Sequence, residues 1–110
     1  MDDQCNHQRR VAEFIATHDL ETPPEFRLLD LTSEIGELAK DANTSTEYGS
    51  EPAALEIASD EIGDVLFALL ALAESVDVDA DAALNEALAK YEERLAADGV
   101  ESPGSETGEE

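Results

Sequence analysis

Cysteine occurs once in this 110-residue chain, tryptophan is absent, and lysine is confined to Lys40 and Lys90. The single thiol, Cys5, has no internal partner for a disulfide, so packing alone must hold the fold. Bases are scarce: 6 lysines and arginines stand against 28 aspartates and glutamates, for a formal net charge of -22. That charge repels nucleic acid, anionic membranes and free nucleotides unless a cation stands between them. The longest apolar run, Val65 to Ala73, falls far short of the roughly 20 residues of a membrane span. Met1-Asp2-Asp3-Gln4 has neither a basic nor an apolar leader, so no export is signalled and the cytoplasm is the expected location. No Gly-x-Ser-x-Gly elbow and no glycine-rich phosphate loop is present, which leaves little support for nucleophilic or P-loop chemistry. Any phosphate chemistry must therefore run through metal ions held by acids.

What is present favours helix. Apolar residues recur at intervals of three and four, and no run of alternating β-branched residues competes with them. The expected fold is all-α: an antiparallel bundle of about four helices in one domain over 1–97, then a disordered acidic tail over 98–110. The first helix is expected over about Asp3 to His18, with Val11, Phe14 and Ile15 on its apolar side. Thr22-Pro23-Pro24 breaks the chain and opens a second, with Leu28, Leu31, Ile35, Leu38 and Ala42 as a core-facing stripe. Asn43 to Pro52 reads as a loop. A third helix is expected over about Ala53 to Val76 and a fourth over about Ala80 to Ala97, the latter capped by Asp77 or Asp79.

Two segments are nearly the same: Ser33-Glu34-Ile35-Gly36-Glu37-Leu38 and Asp60-Glu61-Ile62-Gly63-Asp64-Val65. Residues i and i+3 share a helix face, so each segment projects a pair of acids in one direction. In so acidic a chain such spacing also arises by chance, and a solvated acidic face would show it too. Three features discriminate: both pairs lie beside apolar stripes, both enclose Ile-Gly, and the loop between their helices makes antiparallel neighbours. Glycine inside a helix costs about 0.8 to 1.0 kcal/mol relative to alanine. At Gly36 and Gly63 that cost suggests a close approach, of two helices or of a helix and a ligand.

Glu34, Glu37, Glu61 and Asp64 offer oxygen alone, which suits Mg²⁺ or Mn²⁺ and argues against zinc or copper. A di-iron bundle would need Glu-x-x-His segments, and neither His7 nor His18 follows a glutamate at that spacing; both read as solvent-facing. Among the rare bases, Lys90 and Arg94 lie one turn apart on the fourth helix. They form either a phosphate clamp or intrahelical pairs with Glu86 and Glu93. Arg9, Arg10 and Arg27 have no comparable constellation.

Glu34-Ile-Gly-Glu37-Leu, then Glu61-Ile-Gly-Asp64-Val-Leu-Phe67, then Lys90 with Arg94, resembles the MazG-type nucleoside triphosphate pyrophosphohydrolases of the all-α NTP pyrophosphatase superfamily. The resemblance covers about Pro24 to Leu95. It implies hydrolysis between the α and β phosphates of a nucleoside triphosphate, giving the monophosphate and pyrophosphate. It also implies that Glu34, Glu37, Glu61 and Asp64 are the catalytic, Mg²⁺-holding acids and that Lys90 and Arg94 contact the substrate phosphates. Asp30 and Asp60, beside those acids, are expected on the substrate side with them. No tryptophan is available to stack on a base, and related branches act on dCTP, dUTP or a phosphoribosyl adenine nucleotide, so the base stays open. The competing reading is a non-catalytic acidic module that mimics nucleic acid or docks a basic partner; it accounts for the charge but not for the paired Ile-Gly motifs.

Dispersed acid with little lysine matches proteins of salt-accumulating cells, where ionic strength screens self-repulsion. The apolar circumference of Val65 to Ala73 exceeds what one small bundle covers, so a homodimer or homotetramer is expected, with no nucleic-acid or membrane partner. Thermal melts and light scattering from about 0.1 to 2 M KCl test both expectations. The melting temperature should fall as salt is withdrawn and the Debye length grows from about 3 Å at 1 M to about 10 Å at 0.1 M. The scattering mass at high salt should be a multiple of 11.8 kDa. A flat melting curve, or a monomer alone, contradicts the respective expectation.

Overall fold

The computed structural model describes residues 6–98. They form α1 (His7–Thr17), α2 (Pro24–Ser45), α3 (Ser59–Ser75) and α4 (Ala80–Asp98), with a short 3-10 turn at Pro52–Ala54. No strand occurs among the described residues, and the all-α class expected from the periodicity is the one adopted. Cys5 and the acidic tail beyond Asp98 lie outside the described residues. No described helix is long and apolar enough to cross a membrane.

Helix starts follow local chemistry. Asn6 caps α1, its side-chain oxygen accepting from the Arg9 backbone N–H at 2.8 Å. Pro24 occupies the first turn of α2, where its missing N–H costs nothing. α3 begins at Ser59, later than the Ala53 expected. Pro52–Ala54 closes as its own 3-10 turn, and the Glu56 N–H is taken by the Ser45 hydroxyl at 2.9 Å, so the chain stays extended until Ala58. α2 correspondingly reaches Ser45, beyond the loop start expected at Asn43.

Helix ends share one device. After α1, Leu20 N–H reaches the Ile15 carbonyl and Asp19 N–H the Ala16 carbonyl; after α3, Val78 reaches Ala73 and Asp77 reaches Glu74. After α2, Tyr48 and Glu47 bond back to Asn43 and Thr44 in the same way. These crossed bonds are Schellman closures, which need a left-handed residue just past the helix and usually place glycine there. Here the position holds an acid each time, with φ of 57° at Asp19, 51° at Glu47 and 60° at Asp77. Asp77 is thus the closing residue of α3, and Asp79 is the cap of α4, accepting from the Ala82 N–H at 3.2 Å.

The chain divides into two units after Val78. In the first, α3 packs against both α2 and α1. Gln8 donates to the Glu74 carboxylate at 3.1 Å and to the Val78 carbonyl at 2.8 Å, while Phe14 meets Phe67, so α1 and α3 run antiparallel. The buried centre is small: Ile15 of α1 with Ala68, Leu70, Ala71 and Ala73 of α3. Alanines at these places let the helices come close. Arg27 is buried as well and donates to the Leu20 carbonyl, tying α2 to the end of α1. The stripe expected to face the core is only partly covered: Leu31, Leu38 and Ala42 are half-buried, while Leu28 and Ile35 remain 52% and 50% exposed. In the second unit Leu84, Leu88, Tyr91 and Leu95 of α4 are likewise exposed.

Replacing Asp19 or Asp77 by glycine removes a left-handed side chain and an acid from the negative end of a helix dipole. Each change should stabilise the protein by about 1 kcal/mol in urea unfolding at fixed salt. Loss of stability in both variants would contradict this account of the helix ends.

Candidate functional site

The antiparallel pairing of α2 with α3 lays the middle of one helix across the first turns of the other. Glu34 thereby meets Glu61 and Asp64, and one carboxylate oxygen from each lies within 4.8 Å of the other two. Glu34 and Glu61 are half-buried, whereas Asp64 is exposed. Apolar stripes set this register: α3 must bury Ala68 and Ala71, and that choice turns Asp64 and Glu61, one and two turns before Ala68, toward α2.

The electrostatics record the crowding. Partial burial raises the Glu61 pKa above the ordinary carboxylate range, and the charges of Asp41, Asp60, Glu37 and Asp64 raise it further. Only the N-terminal position favours the anion, since Asp60 and Glu61 occupy the first turn of α3 at the positive end of its dipole.

Of the four acids expected to act together, three converge. Glu37 is exposed one turn further along α2, outside that set of three but near enough for its charge to act on Glu61. Asp60 acts on Glu61 in the same way, whereas Asp30 is exposed and is not among the charges that shift it. Asp41, not expected at the site, is the strongest of those charges. Its spacing from Glu34 and Glu37 on one face of α2 was the available signal. Lys90 and Arg94 are exposed on α4 in the second unit, flanking the Tyr91 ring at 5.5 Å and 6.0 Å from its centroid.

The glycines answer differently from the expectation of close helix contact. Among the described residues, a Cβ at Gly36 or at Gly63 would meet no atom within 4 Å beyond its chain neighbours and its own stretch of helix backbone. Gly63 instead lines an open groove of about 700 Å³ between α1 and α3, together with Asp64, Arg10, Phe14 and Phe67. His7 lines the same groove and is exposed, as expected for a surface histidine. Arg10 has therefore a constellation after all. His7, Arg10 and Phe14 fall on one face of α1 at spacings of three and four, a pattern visible in the sequence but without meaning until α3 is set opposite.

The family model of the MazG nucleotide pyrophosphohydrolase domain matches residues 23–96, a segment that contains all three converging acids. The chain belongs to that family. It is 38% identical over 68 residues to YpjD, an uncharacterised protein of Bacillus subtilis (strain 168), across 58% of this chain and 60% of that protein. The matched part thus spans about 60% of the length of this relative. The fold is similar to a crystal structure of YpjD from Bacillus subtilis, with 33% identity, a TM-score of 0.65, and coverage of 83% of this chain and 96% of that one. It is also similar to the crystal structure of the Bacillus-conserved MazG protein, a nucleotide pyrophosphohydrolase. That match has 28% identity, a TM-score of 0.62, and covers 83% of this chain and 90% of that one.

A carboxylate whose pKa is raised on folding contributes stability below its unfolded pKa and loses it as pH rises through the folded value. In chelator, Glu61 should therefore weaken the protein as pH rises beyond the ordinary carboxylate range and through its raised folded value. Glu61→Gln should melt higher than the parent above that value and show a flatter pH profile. Equal profiles for the two proteins would mean that the crowding at Glu61 has no energetic consequence.

Proposed function

We propose that this protein is a Mg²⁺-dependent nucleoside triphosphate pyrophosphohydrolase that cleaves (d)NTP to (d)NMP and pyrophosphate. The observation that carries the reading is the meeting of Glu34, Glu61 and Asp64 across α2 and α3, within the segment that matches the family. The donor set fits a hard divalent cation: oxygen only, on rigid helices, with partial burial and then the surrounding like charges raising the Glu61 pKa. Glu34, Glu61 and Asp64 would hold it, with Glu37 beside them; Mn²⁺ suits the same ligands. Such a cation neutralises substrate phosphates and makes an attacking water more acidic.

Other roles fall to the protein's own side chains. Lys90 and Arg94 bind substrate phosphates by charge-assisted hydrogen bonds, and Asp30 and Asp60 act on the substrate side. An acid left free of metal orients the water; Asp41, Asp60 and Glu37 all act on Glu61 from beside the set of three. Half-exposed apolar residues on α2, α3 and α4, among them Leu28, Ile35, Leu69 and Leu88, support assembly into a homodimer or homotetramer. The net charge of -22 supports adaptation to a salt-rich cytoplasm. The single domain over 1–97 with an acidic tail over 98–110 belongs to the same proposal.

Pyrophosphate release from a nucleotide panel with Mg²⁺ at high salt tests the assignment. Glu34→Gln, Glu61→Gln and Asp64→Asn each remove a charge and a ligand with little change of shape. Each should lower turnover by about two orders of magnitude or more while the helix content is kept. Lys90→Ala and Arg94→Ala should instead raise KM about tenfold or more, the loss of contacts worth roughly 1.5 to 3 kcal/mol each. Glu13→Gln and Glu92→Gln, at exposed acids, control for charge alone. Full Mg²⁺-dependent activity in Glu61→Gln and Asp64→Asn would show the paired motifs to be structural.

A further inference from the structure

We propose that the groove between α1 and α3 holds the nucleoside end of the substrate, with Arg10 as a specificity-determining residue that favours 6-keto purines. The inference rests on the pyrophosphohydrolase reading and assigns that site a base class. Asp64 belongs both to the converging acids and to the groove wall, so a nucleotide with its phosphates at the acids has its base within reach of the groove. The volume, about 700 Å³, lies within the usual range for small-molecule sites.

Two further observations point to a ligand there. Gly63 weakens α3 between two of the converging acids, yet among the described residues no atom beyond its chain neighbours and its own stretch of helix backbone stands within 4 Å of where its Cβ would be. Helix packing therefore does not require the glycine. What the missing side chain does is widen the groove it lines, where a flat ring can pass close to the backbone. Arg10 is the second. Among the described residues its guanidinium has no ion pair and no hydrogen bond, in a chain with 28 acids and 6 bases. A rare base left without a carboxylate, facing the groove that Asp64 also lines, is available for a ligand.

The chemistry of the guanidinium selects the base. Its planar fork presents two parallel N–H donors, which match the adjacent O6 and N7 acceptors of guanine or hypoxanthine. Adenine offers an amino donor in place of O6, and thymine has an N3–H donor beside each keto oxygen; cytosine sets O2 beside N3, so dCTP is the direct competitor that the nucleotide panel must separate from dGTP. Phe14 and Phe67 meet edge to face, centroids 5.9 Å apart and planes at 89°, and form an apolar corner for the ring.

The test measures kcat and KM for dGTP, dITP, dATP, dCTP and dTTP by pyrophosphate release with Mg²⁺ at high salt. Parent, R10A, R10K and G63A are compared, each also followed by thermal melting and light scattering. The parent should favour dGTP and dITP over dATP by about tenfold or more, the discrimination typical of one bidentate contact. R10A should lose about tenfold more on dGTP and dITP than on dATP, and R10K, a point charge without the fork, should not restore the preference. G63A should raise KM more than it lowers kcat, yet melt a few degrees higher, because alanine is the better helix former and meets no clash. Turnover without purine discrimination, an unchanged order in R10A, or a lower melting temperature in G63A overturns this proposal alone. A change of mass in R10A or G63A with selectivity intact also overturns it, marking the groove as a contact between copies. Release of no pyrophosphate from any of the five nucleotides overturns the pyrophosphohydrolase reading as well.

Discussion

Glu34, Glu61 and Asp64 hold their carboxylates within 4.8 Å of one another across the seam of α2 and α3, with Asp41, Asp60 and Glu37 adding like charge around Glu61. Such a cluster pushes its two helices apart, so contacts elsewhere must fix their register. They lie on either side of it. Toward the C-terminal end of α3, Ala68, Leu70, Ala71 and Ala73 bury themselves against the neighbouring helices. On the other side the connection is pinned by its own hydrogen bonds, Glu56 N–H to the Ser45 hydroxyl and Thr46 Oγ1 to the Ala42 carbonyl at 2.6 Å. The repulsion is thus confined between a packed stretch and a closed loop, where rigid helices hold the acids whether or not their charges agree.

How far the sequence discloses this depends on whether a feature repeats along one helix or arises between two. The paired Glu-Ile-Gly-Glu and Glu-Ile-Gly-Asp segments repeat along their helices, and their direction could be read before any tertiary contact was known. That Glu34 rather than Glu37 would complete the set with Glu61 and Asp64 is a matter of register, which spacing does not determine. Arg10 is the sharper case. On α1 alone it is one arginine beside another, and only the approach of α3 gives it Asp64 and Gly63 as neighbours in the groove. Leu28 and Ile35 mislead in the opposite sense: their spacing is that of a buried stripe, but the single chain leaves them half in water. Periodicity shows that a face is apolar and does not say which surface covers it.

The helix ends bear on the same charge problem from another side. Acids stand in the first turns of α2, α3 and α4, where the dipole favours them, but none of the four helices has a base in its last turn. Past α1, α2 and α3 the closing residue is itself an acid in a left-handed conformation, set against the negative end of the helix. Both choices oppose helix stability in dilute solution, and both interactions lie at exposed positions that salt screens within a few ångströms at molar strength. Glu34 and Glu61 differ because they are half-buried, and screening by mobile monovalent ions reaches them less. Two electrostatic burdens are therefore separable in this one chain: a dispersed one that concentrated salt relieves, and a local one, fixed between two helices, that it relieves less. The first answers to bulk ionic strength and the second to the register that sets Glu34 against Glu61 and Asp64.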